Sequence, residues 1–176
     1  MTELLIGCGT NRTRRFQHEG RSEWSDLVTL DINPDHKPDH LWDLTTRPLP
    51  FADNTFDEIH AYDVLEHLGQ QGDWRAFFDE WSEWWRLLKP DGVLCGISPA
   101  ADSPWAWGDP GHTRVISPES LGYLHQPEYT AQVGITAMSD YRFVYRADFD
   151  LLYQETIDGA AFCYVLRAIK PSRISI

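Results

Sequence analysis

Short apolar runs separated by polar, turn-forming stretches recur through the first hundred residues. Each run is much shorter than a helix needs and is bounded by glycine, proline, asparagine or aspartate, which is typical of a buried β-strand. The run that begins at Phe56 also alternates apolar and polar side chains, a pattern that favours a strand. The pattern predicts strands at Leu4–Ile6, Leu27–Leu30, His40–Leu44, Phe56–Tyr62 and Val93–Ser98.

One longer segment, from Asp73 to Lys89, has a helical period. Its aromatic and leucine side chains recur every three or four residues, so they share one face of an amphipathic helix. Asp73 is suited to cap the first turn, and Lys89-Pro90-Asp91-Gly92 predicts the stop. An aromatic stripe of this period packs in a core more often than it lines a ligand site, so we expect it to cover a sheet.

The segment that follows the fifth predicted strand is long and irregular. Residues 99–116 are rich in proline and glycine, and they contain Trp105 and Trp107. Loops of this length are usually functional or disordered, and two tryptophans disfavour disorder, so we expect a substrate wall here. Ser117 and Pro118 then predict the start of a short helix, which ends near residue 125. Residues 126–141 are polar and predict no element.

The end of the chain predicts a β-hairpin. Two β-rich runs, Asp148–Ile157 and Ala161–Ile169, are joined around Asp158-Gly159, which is a strong turn signal.

Length and cysteine content indicate one domain. The chain has 176 residues, which suits a single domain with a sizeable core. Its apolar runs all fall short of the ~20 residues that a membrane-spanning helix needs. The first three residues leave no room for a cationic leader. Cys8, Cys95 and Cys163 are odd in number and far apart, which favours reduced thiols and a cytoplasmic location.

The charge balance narrows the class of partner. The chain has 27 acidic and 15 basic residues and a net charge of −12. Proteins that grip nucleic-acid backbones normally present a basic stripe, so this acidity disfavours nucleic acid and favours a small-molecule or protein substrate. The local basic cluster of Arg12, Arg14 and Arg15 is interpreted as a solvated loop. A homodimer is compatible with the sequence, and a membrane partner is not expected.

The candidate chemistry begins where the first strand ends. Gly7 and Gly9 predict a tight turn that lets the backbone approach a ligand, and Asn11 can adopt the positive φ of a third glycine. Asp31 ends the second strand about twenty residues later, where a carboxylate can accept hydrogen bonds from both ribose hydroxyls of an adenosine group. Because the glycine pattern stops short of G-x-G-x-x-G, adenosine without a pyrophosphate fits better than a dinucleotide.

Several further motifs occur in the order seen in class I S-adenosylmethionine-dependent methyltransferases. The chain resembles the small type-11 branch of that family. The resemblance covers residues 3–98 well and the rest loosely. The motifs are Gly7-Cys8-Gly9-Thr10, Asp31, Trp42-Asp43-Leu44, Leu49-Pro50-Phe51-Ala52-Asp53-Asn54-Thr55-Phe56-Asp57, Val64-Leu65-Glu66-His67-Leu68 and Leu87-Leu88-Lys89-Pro90-Asp91-Gly92. Leu5 differs from many relatives, which carry an acidic residue there.

This resemblance implies the fold and the organisation of the chain. The expected fold is α/β, a Rossmann-like doubly wound sheet of seven strands in the order 3-2-1-4-5-7-6, with the last strand antiparallel. The helices that usually precede the first strand are absent, because the chain begins almost on that strand. We expect a single domain over residues 1–176, with a cofactor-binding core at 3–98, a substrate-side region at 99–147 and a hairpin at 148–170.

The resemblance also implies the cofactor, S-adenosyl-L-methionine, and its site. Asp31 would bind the ribose, Asp43 would accept from the adenine amine, and the Leu44 backbone N–H would face a ring nitrogen. The expected cofactor residues are Gly7, Cys8, Gly9, Asp31, Ile32, Asp43, Leu44 and Tyr62.

The implied reaction is direct in-line transfer of a methyl group, which mainly requires positioning and, for some acceptors, a base. The candidate catalytic residues are His112, His67 and Asp63. Asp63 and His67 are four residues apart, so a helix that began there would carry both on one face. Arg114, in a stretch that resembles the family's His-x-Arg, could orient an acidic or carbonyl-bearing acceptor.

Two alternatives stay open. Asp63, Glu66, His67 and His112 also resemble the ligands of metal-dependent 2′-O-methyltransferases that act on RNA, and those of certain quinone-pathway O-methyltransferases. The acidic composition disfavours RNA, and the pattern is widespread without a metal, so no metal is expected. The second alternative is a non-catalytic module that binds S-adenosylmethionine without turnover, as the residue at Leu5 and the missing helices suggest.

Overall fold

The computed structural model describes residues 1–174, apart from the side chain of His18, and consists of one sheet with short and long helices. The strands are β1 Thr2–Ile6, β2 Asp26–Asp31, β3 His40–Leu41, β4 Phe56–Tyr62, β5 Leu88–Pro99, β6 Phe149–Ile157 and β7 Ala161–Ala168. The α-helices are α1 Trp74–Leu87, α2 Trp105–Gly108, α3 Pro118–Gly122 and α4 Gln126–Gln132. Single 3₁₀ turns span His18–Gly20, Pro34–His36 and Leu65–His67.

The seven strands lie in the order β3-β2-β1-β4-β5-β7-β6. β1 pairs in parallel with β2 and β4, β2 with β3, and β4 with β5, whereas β7 is antiparallel to both β5 and β6. The predicted strand order and the antiparallel last strand are confirmed. Because parallel strands end at the same edge, the loops after β1, β2, β4 and β5 gather on one side of the sheet.

Several element boundaries differ from the prediction. β3 ends at Leu41: the Trp42 N–H still donates to the Asp31 carbonyl of β2, and the chain then turns at Asp43, whose carbonyl accepts from the Thr46 N–H. β5 already begins at Leu88, and the predicted turn forms a bulge within it, since Phe56 pairs with Leu88 and Glu58 with Val93. Helix α4 lies within residues 126–141, for which the sequence predicted no element.

One face of the sheet is covered by α1. The Asp73 side chain accepts a hydrogen bond from the Ala76 N–H, so the predicted cap is confirmed. Trp81 and Trp84 are fully buried and belong to the same core cluster as Leu4 of β1 and Ile59 of β4. Side chains alternate between the two faces along each strand, and these two residues lie on the face that α1 covers. The aromatic stripe is therefore core, as expected. Of the helices within residues 1–174, none is both long and apolar enough to cross a membrane.

The opposite face is covered by residues 10–25, here called the strap. The strap contains a single 3₁₀ turn and no α-helix, yet Phe16 and Trp24 pack on Leu5 and Tyr62 from the intervening positions of β1 and β4. An irregular segment covers a sheet only if its polar groups find partners, because buried unpaired groups are costly.

Arg14 supplies those partners from the middle of the strap. Its guanidinium is buried and bonds the carboxylates of Glu3 on β1 and Glu58 on β4. Arg21 also pairs with Glu58. The interpretation of this basic cluster as a solvated loop was therefore wrong for Arg14, whereas Arg15 is half exposed and pairs with Asp63.

We predict that Arg14→Ala lowers the free energy of unfolding by about 3–5 kcal/mol, because it leaves two buried carboxylates without their cation. Arg15→Ala is the matched control, and its exposed pair should contribute less than about 1 kcal/mol. Urea unfolding of both variants measures the difference. Equal losses would show that the strap does not depend on the buried pairs.

Candidate functional site

The glycine turn after β1 opens towards the loops of β2 and β4. Gly7 and Gly9 both have φ of +56°, as predicted for a turn that needs the left-handed region. A Cβ on Gly7 would overlap the Val64 side chain, whereas one on Gly9 would meet nothing within 4 Å. Asn11 has no positive φ, so that expectation was wrong; its side chain instead accepts from the Thr13 N–H.

Asp31 connects this turn to the end of β2. Its Oδ2 accepts from the Gly9 N–H at 2.9 Å and its Oδ1 from the Asn33 N–H at 2.8 Å. His36 Nδ1 lies 3.1 Å from Oδ2. Burial by itself would raise the pKa of Asp31, but the N–H groups of Asn33 and Gly9 hold it below its ordinary value. Asp31 is therefore ionised near neutral pH, with a lone pair on each oxygen for a ligand.

The turn after β3 brings Asp43 and Leu44 to the same edge. Asp43 Oδ1 accepts from the Thr45 N–H at 2.8 Å and from its hydroxyl at 2.7 Å, which closes a tight turn. Both bonds use Oδ1, so Oδ2 can accept from a ligand.

These loops enclose a cavity of about 550 Å³. It is lined by Gly7, Gly9, Asp31, Ile32, His36, Asp43, Leu44, Thr45, Asp63, Val64, His67 and Leu68. Six of the predicted cofactor residues and two of the predicted catalytic residues thus come together. His36 and Thr45 were not predicted, since the sequence indicates only the turns that contain them.

Cys8 and Tyr62 are not among the described residues that line this cavity. Both are buried and pack with Phe16 and Trp24 of the strap, Cys8 from the turn that follows β1 and Tyr62 from the end of β4. The Tyr62 hydroxyl accepts from the Phe16 N–H and is hydrogen-bonded to His60 Nδ1 at 2.6 Å. Burial raises the pKa of Tyr62 well above its usual value. Their side chains therefore serve packing.

The loop after β4 carries the candidate catalytic groups. Asp63 has φ of +55°, and a 3₁₀ turn follows at Leu65–His67. The expectation that Asp63 and His67 share one face of a helix was therefore wrong. Both still line the cavity, and Asp63 is paired with Arg15 of the strap.

Glu66 lies beneath this loop and is 1% exposed. Its backbone carbonyl accepts from the N–H groups of Thr113 at 2.9 Å and Arg114 at 3.1 Å, which fastens the loop that follows β5. Its side-chain Oε2 accepts from the Ser98 hydroxyl at 3.3 Å. Burial raises the pKa of the Glu66 carboxyl, and the nearby Asp63 carboxylate adds to the rise.

His67 and His112 meet above Glu66. Their ring centroids are 4.6 Å apart, and His112 Nε2 lies 3.9 Å from Glu66 Oε1. His67 Nδ1 lies 3.1 Å from the Gly111 carbonyl oxygen, and His112 Nδ1 lies 2.8 Å from that of Trp105. The structure therefore brings His112 to the side of the cavity where His67 and Asp63 lie.

Arg114 does not face the cavity. It is 3% exposed and its Nη1 donates to Glu80 Oε2 at 3.0 Å, so the suggestion that it orients an acceptor was wrong. Burial raises the pKa of Glu80 to about 7, although Arg114 opposes that rise. Trp105 and Trp107, by contrast, are 67% and 59% exposed on α2, close to His112.

A sequence profile described as "Methyltransferase domain" matches residues 4–96, which is more than half of the 176 residues. The matched range contains the glycine turn, Asp31, Asp43, Asp63 and Glu66. Comparison with curated proteins gives no significant match.

Solved structures with a similar fold include three of particular interest. A SAM-dependent methyltransferase from Archaeoglobus fulgidus is 17% identical with a TM-score of 0.59, over 94% of this chain and 85% of that one. N-methyltransferase NodS from Bradyrhizobium japonicum WM9, in complex with S-adenosyl-L-homocysteine, is 16% identical with a TM-score of 0.54, over 95% and 77%. The [4+2]-cyclase SpnF is 16% identical with a TM-score of 0.52, over 96% and 75%. At these identities the likeness shows the fold, which hosts more than one chemistry.

We predict that Gly7→Ala destabilises the protein more than Gly9→Ala. Each substitution adds the left-handed penalty of about 1–2 kcal/mol, but only Gly7→Ala also overlaps Val64, which adds about 1–3 kcal/mol. Thermal or urea unfolding measures both losses. The double variant Gly7→Ala with Val64→Ala serves as a control, because the smaller side chain at 64 should reduce the extra loss; an unchanged loss would contradict the overlap.

Proposed function

This chain belongs to the methyltransferase domain family, and from that membership we propose that it transfers a methyl group from S-adenosylmethionine directly to a small-molecule or protein acceptor. The observation that carries the proposal is the cavity at the strand ends, which joins the glycine turn, Asp31 and Asp43 to Asp63 and His67. S-adenosylmethionine supplies a methyl group on a sulfonium sulfur, which is already an activated leaving group.

The residues of the cavity fit an adenosyl ligand. Asp31 is ionised and keeps lone pairs that can accept from the two ribose hydroxyls. Ile32 is 65% exposed at the cavity, and with Leu44 it offers apolar surface to the flat faces of adenine. Asp43 Oδ2 can accept from the adenine amine. The open space over Gly9 leaves room for the remainder of the cofactor.

The acceptor would lie beside His67, His112 and Asp63, at the other end of this cavity. Because the sulfonium needs no further activation, these side chains would position the acceptor and help to remove its proton. Asp63 already has Arg15 as a cation partner, so His67 and His112 are the stronger candidates for acting on the acceptor. The exposed rings of Trp105 and Trp107 would border the acceptor side.

We predict that Asp31→Asn weakens the binding of S-adenosylhomocysteine by about 1–3 kcal/mol, because it removes the charge from the hydrogen bonds to the ribose while keeping the side-chain shape. Asp35→Asn, in the same loop but exposed, is the control and should bind normally. Isothermal titration calorimetry measures both affinities. Equal affinities would remove Asp31 from the ribose site.

We also predict that His112→Ala lowers the rate of methyl transfer about 10²-fold or more, with cofactor affinity within about twofold of the wild type. The assay follows transfer of label from methyl-labelled cofactor to a fractionated host extract. His125→Asn is the control, since His125 caps α4 and asparagine is also a good cap. Near-normal turnover by His112→Ala would exclude it from catalysis. Cofactor binding without any labelled product would instead indicate a non-catalytic binding module.

A further inference from the structure

A second cavity, here called the aromatic cavity, lies at the start of α1 and has a volume of about 190 Å³. No residue within 1–174 lines both this cavity and the one at the strand ends. The loop after β4 separates them, because His67 and Leu68 line the first cavity whereas Gln70 and Gln71 line the second. The rings in the wall of the aromatic cavity are those of Trp74, Phe77, Phe78, Tyr123 and Tyr141.

Arg114 also lines the aromatic cavity, and its charge is only partly balanced. Nη1 donates to Glu80 Oε2 at 3.0 Å, and the guanidinium lies over the Phe77 ring, 5.3 Å from the ring centroid. Nη2 is buried and has no hydrogen-bond partner among the residues that the structure describes. Burial raises the pKa of Glu80 to about 7, so near neutral pH this carboxyl is ionised in only part of the molecules. Because an unpaired buried N–H group is costly, an anionic ligand that supplies an acceptor would be stabilised here.

The segment beside Nη2 can admit such an acceptor. Nη2 lies against Gly69, since a Cβ on that glycine would come within 2.3 Å of it. Residues 70–72 are exposed, and Gly69 and Gly72 have φ of +67° and +88°. A small movement of this exposed segment would bring Nη2 into contact with a ligand. Gln71 Oε1 accepts from the Val115 N–H at 3.1 Å, which leaves the Gln71 amide NH₂ group to donate to the same ligand.

The N-terminus of α1 adds positive potential at the same place. The helix has 14 residues and begins at Trp74, in the wall of the cavity. Its macrodipole therefore places partial positive charge beside the ligand. Asp73 offsets part of this charge, but its Oδ1 already accepts from the Ala76 N–H as the helix cap. The polar side of the cavity thus favours an anion over a cation.

The walls favour a flat apolar group of limited size. The rings of Trp74 and Tyr141 are stacked, with centroids 4.8 Å apart and planes 21° apart. Phe78 packs against Tyr141 with centroids 5.3 Å apart. Aromatic surfaces of this kind pack well against another ring. Sites for drug-sized ligands usually enclose about 300–1,000 Å³, so this cavity suits a ligand of about one ring.

We propose that the aromatic cavity binds a small aromatic carboxylate, of the size of benzoate, as a ligand distinct from the cofactor and the methyl acceptor. Its carboxylate would accept from Arg114 and Gln71 beside the N-terminus of α1, and its ring would pack on the aromatic walls. Arginine suits this role because its planar fork of N–H groups matches a carboxylate. The binding site does not depend on the proposed methyl transfer.

The ligand would act as an effector, because the aromatic cavity adjoins the segment that carries His112. The N–H groups of Thr113 and Arg114 donate to the Glu66 carbonyl, and the Thr113 carbonyl accepts from the Gln71 N–H at 2.8 Å. A ligand bound to Arg114 and Gln71 therefore holds both sides of this contact. Its binding would restrain the segment that places His112 beside Glu66.

The test follows the indole N–H resonances of the full-length protein in ¹H–¹⁵N spectra, with Trp74 assigned by comparison with Trp74→Phe. We expect benzoate to shift the Trp74 resonance saturably, at millimolar concentration or below. Benzyl alcohol keeps the ring but lacks the charge, so it should bind about tenfold more weakly or worse. Saturation with S-adenosylhomocysteine should leave the affinity for benzoate within about twofold, because the two cavities share no lining residue among those described.

Arg114→Lys keeps a charge opposite Glu80 but loses the planar pair of N–H donors, so it should weaken benzoate binding about tenfold or more. Arg167→Lys is the matched control, because Arg167 pairs with Asp150 on the β-hairpin, and it should bind as the wild type does. If Arg114→Lys does not fold, Gln71→Ala at an exposed position removes the second donor and should weaken binding about threefold or more.

The proposal would be overturned by the absence of a saturable shift of Trp74, or by equal affinities for benzoate and benzyl alcohol. Equal affinities of Arg114→Lys and the wild type would overturn it as well. Competition between benzoate and S-adenosylhomocysteine would place benzoate in the other cavity. Unchanged hydrogen exchange at the Thr113 and Arg114 amides under saturating benzoate would refute the effector role. Binding of benzoate without binding of S-adenosylhomocysteine would refute only the proposed methyl transfer.

Discussion

The parallel pairing of β1 with β2 on one side and β4 on the other determines where the glycine turn, Asp31 and the loop after β4 lie. In parallel strands the carboxyl ends fall at one edge, so the turn after β1, the carboxylate that ends β2 and the loop after β4 open into the same space. A hydrogen bond from the Gly9 N–H to Asp31 joins the first two. The packing of Val64 against Gly7 joins the first and the third, so the register of these three strands sets this part of the cavity wall.

Several signals that depend on neighbouring residues were predicted correctly from the sequence. The short apolar runs, the Asp73 cap and the hairpin around Asp158 concern contacts within a few residues, and all are present in the structure. Asp31 belongs to this group as well, because its position at a strand end follows from the pattern of one segment. Six of the eight expected cofactor residues therefore line the cavity, whereas His36 joined them only through the folding of its loop.

Contacts between distant segments could not be predicted in this way. Arg14 and Arg114 look like surface residues in the sequence, but each is buried against carboxylates that lie more than ten residues away along the chain. Tyr62 was expected to bind the cofactor from the family resemblance, yet the alternation of β4 directs its side chain beneath the strap. The segment between β1 and β2 has no α-helix, and nothing in its sequence indicates that Arg14 fastens it to the second face of the sheet.

Glu66 has two roles that concern opposite ends of one residue. Its backbone carbonyl holds the chain at Thr113 and Arg114, and its side chain lies against His112 of the same loop. Movement of the loop away from the sheet would break these contacts, so the loop forms a fixed part of the wall beside the cavity. His67, which is exposed and lines the cavity, therefore lies at the border between this fixed part of the wall and the solvent.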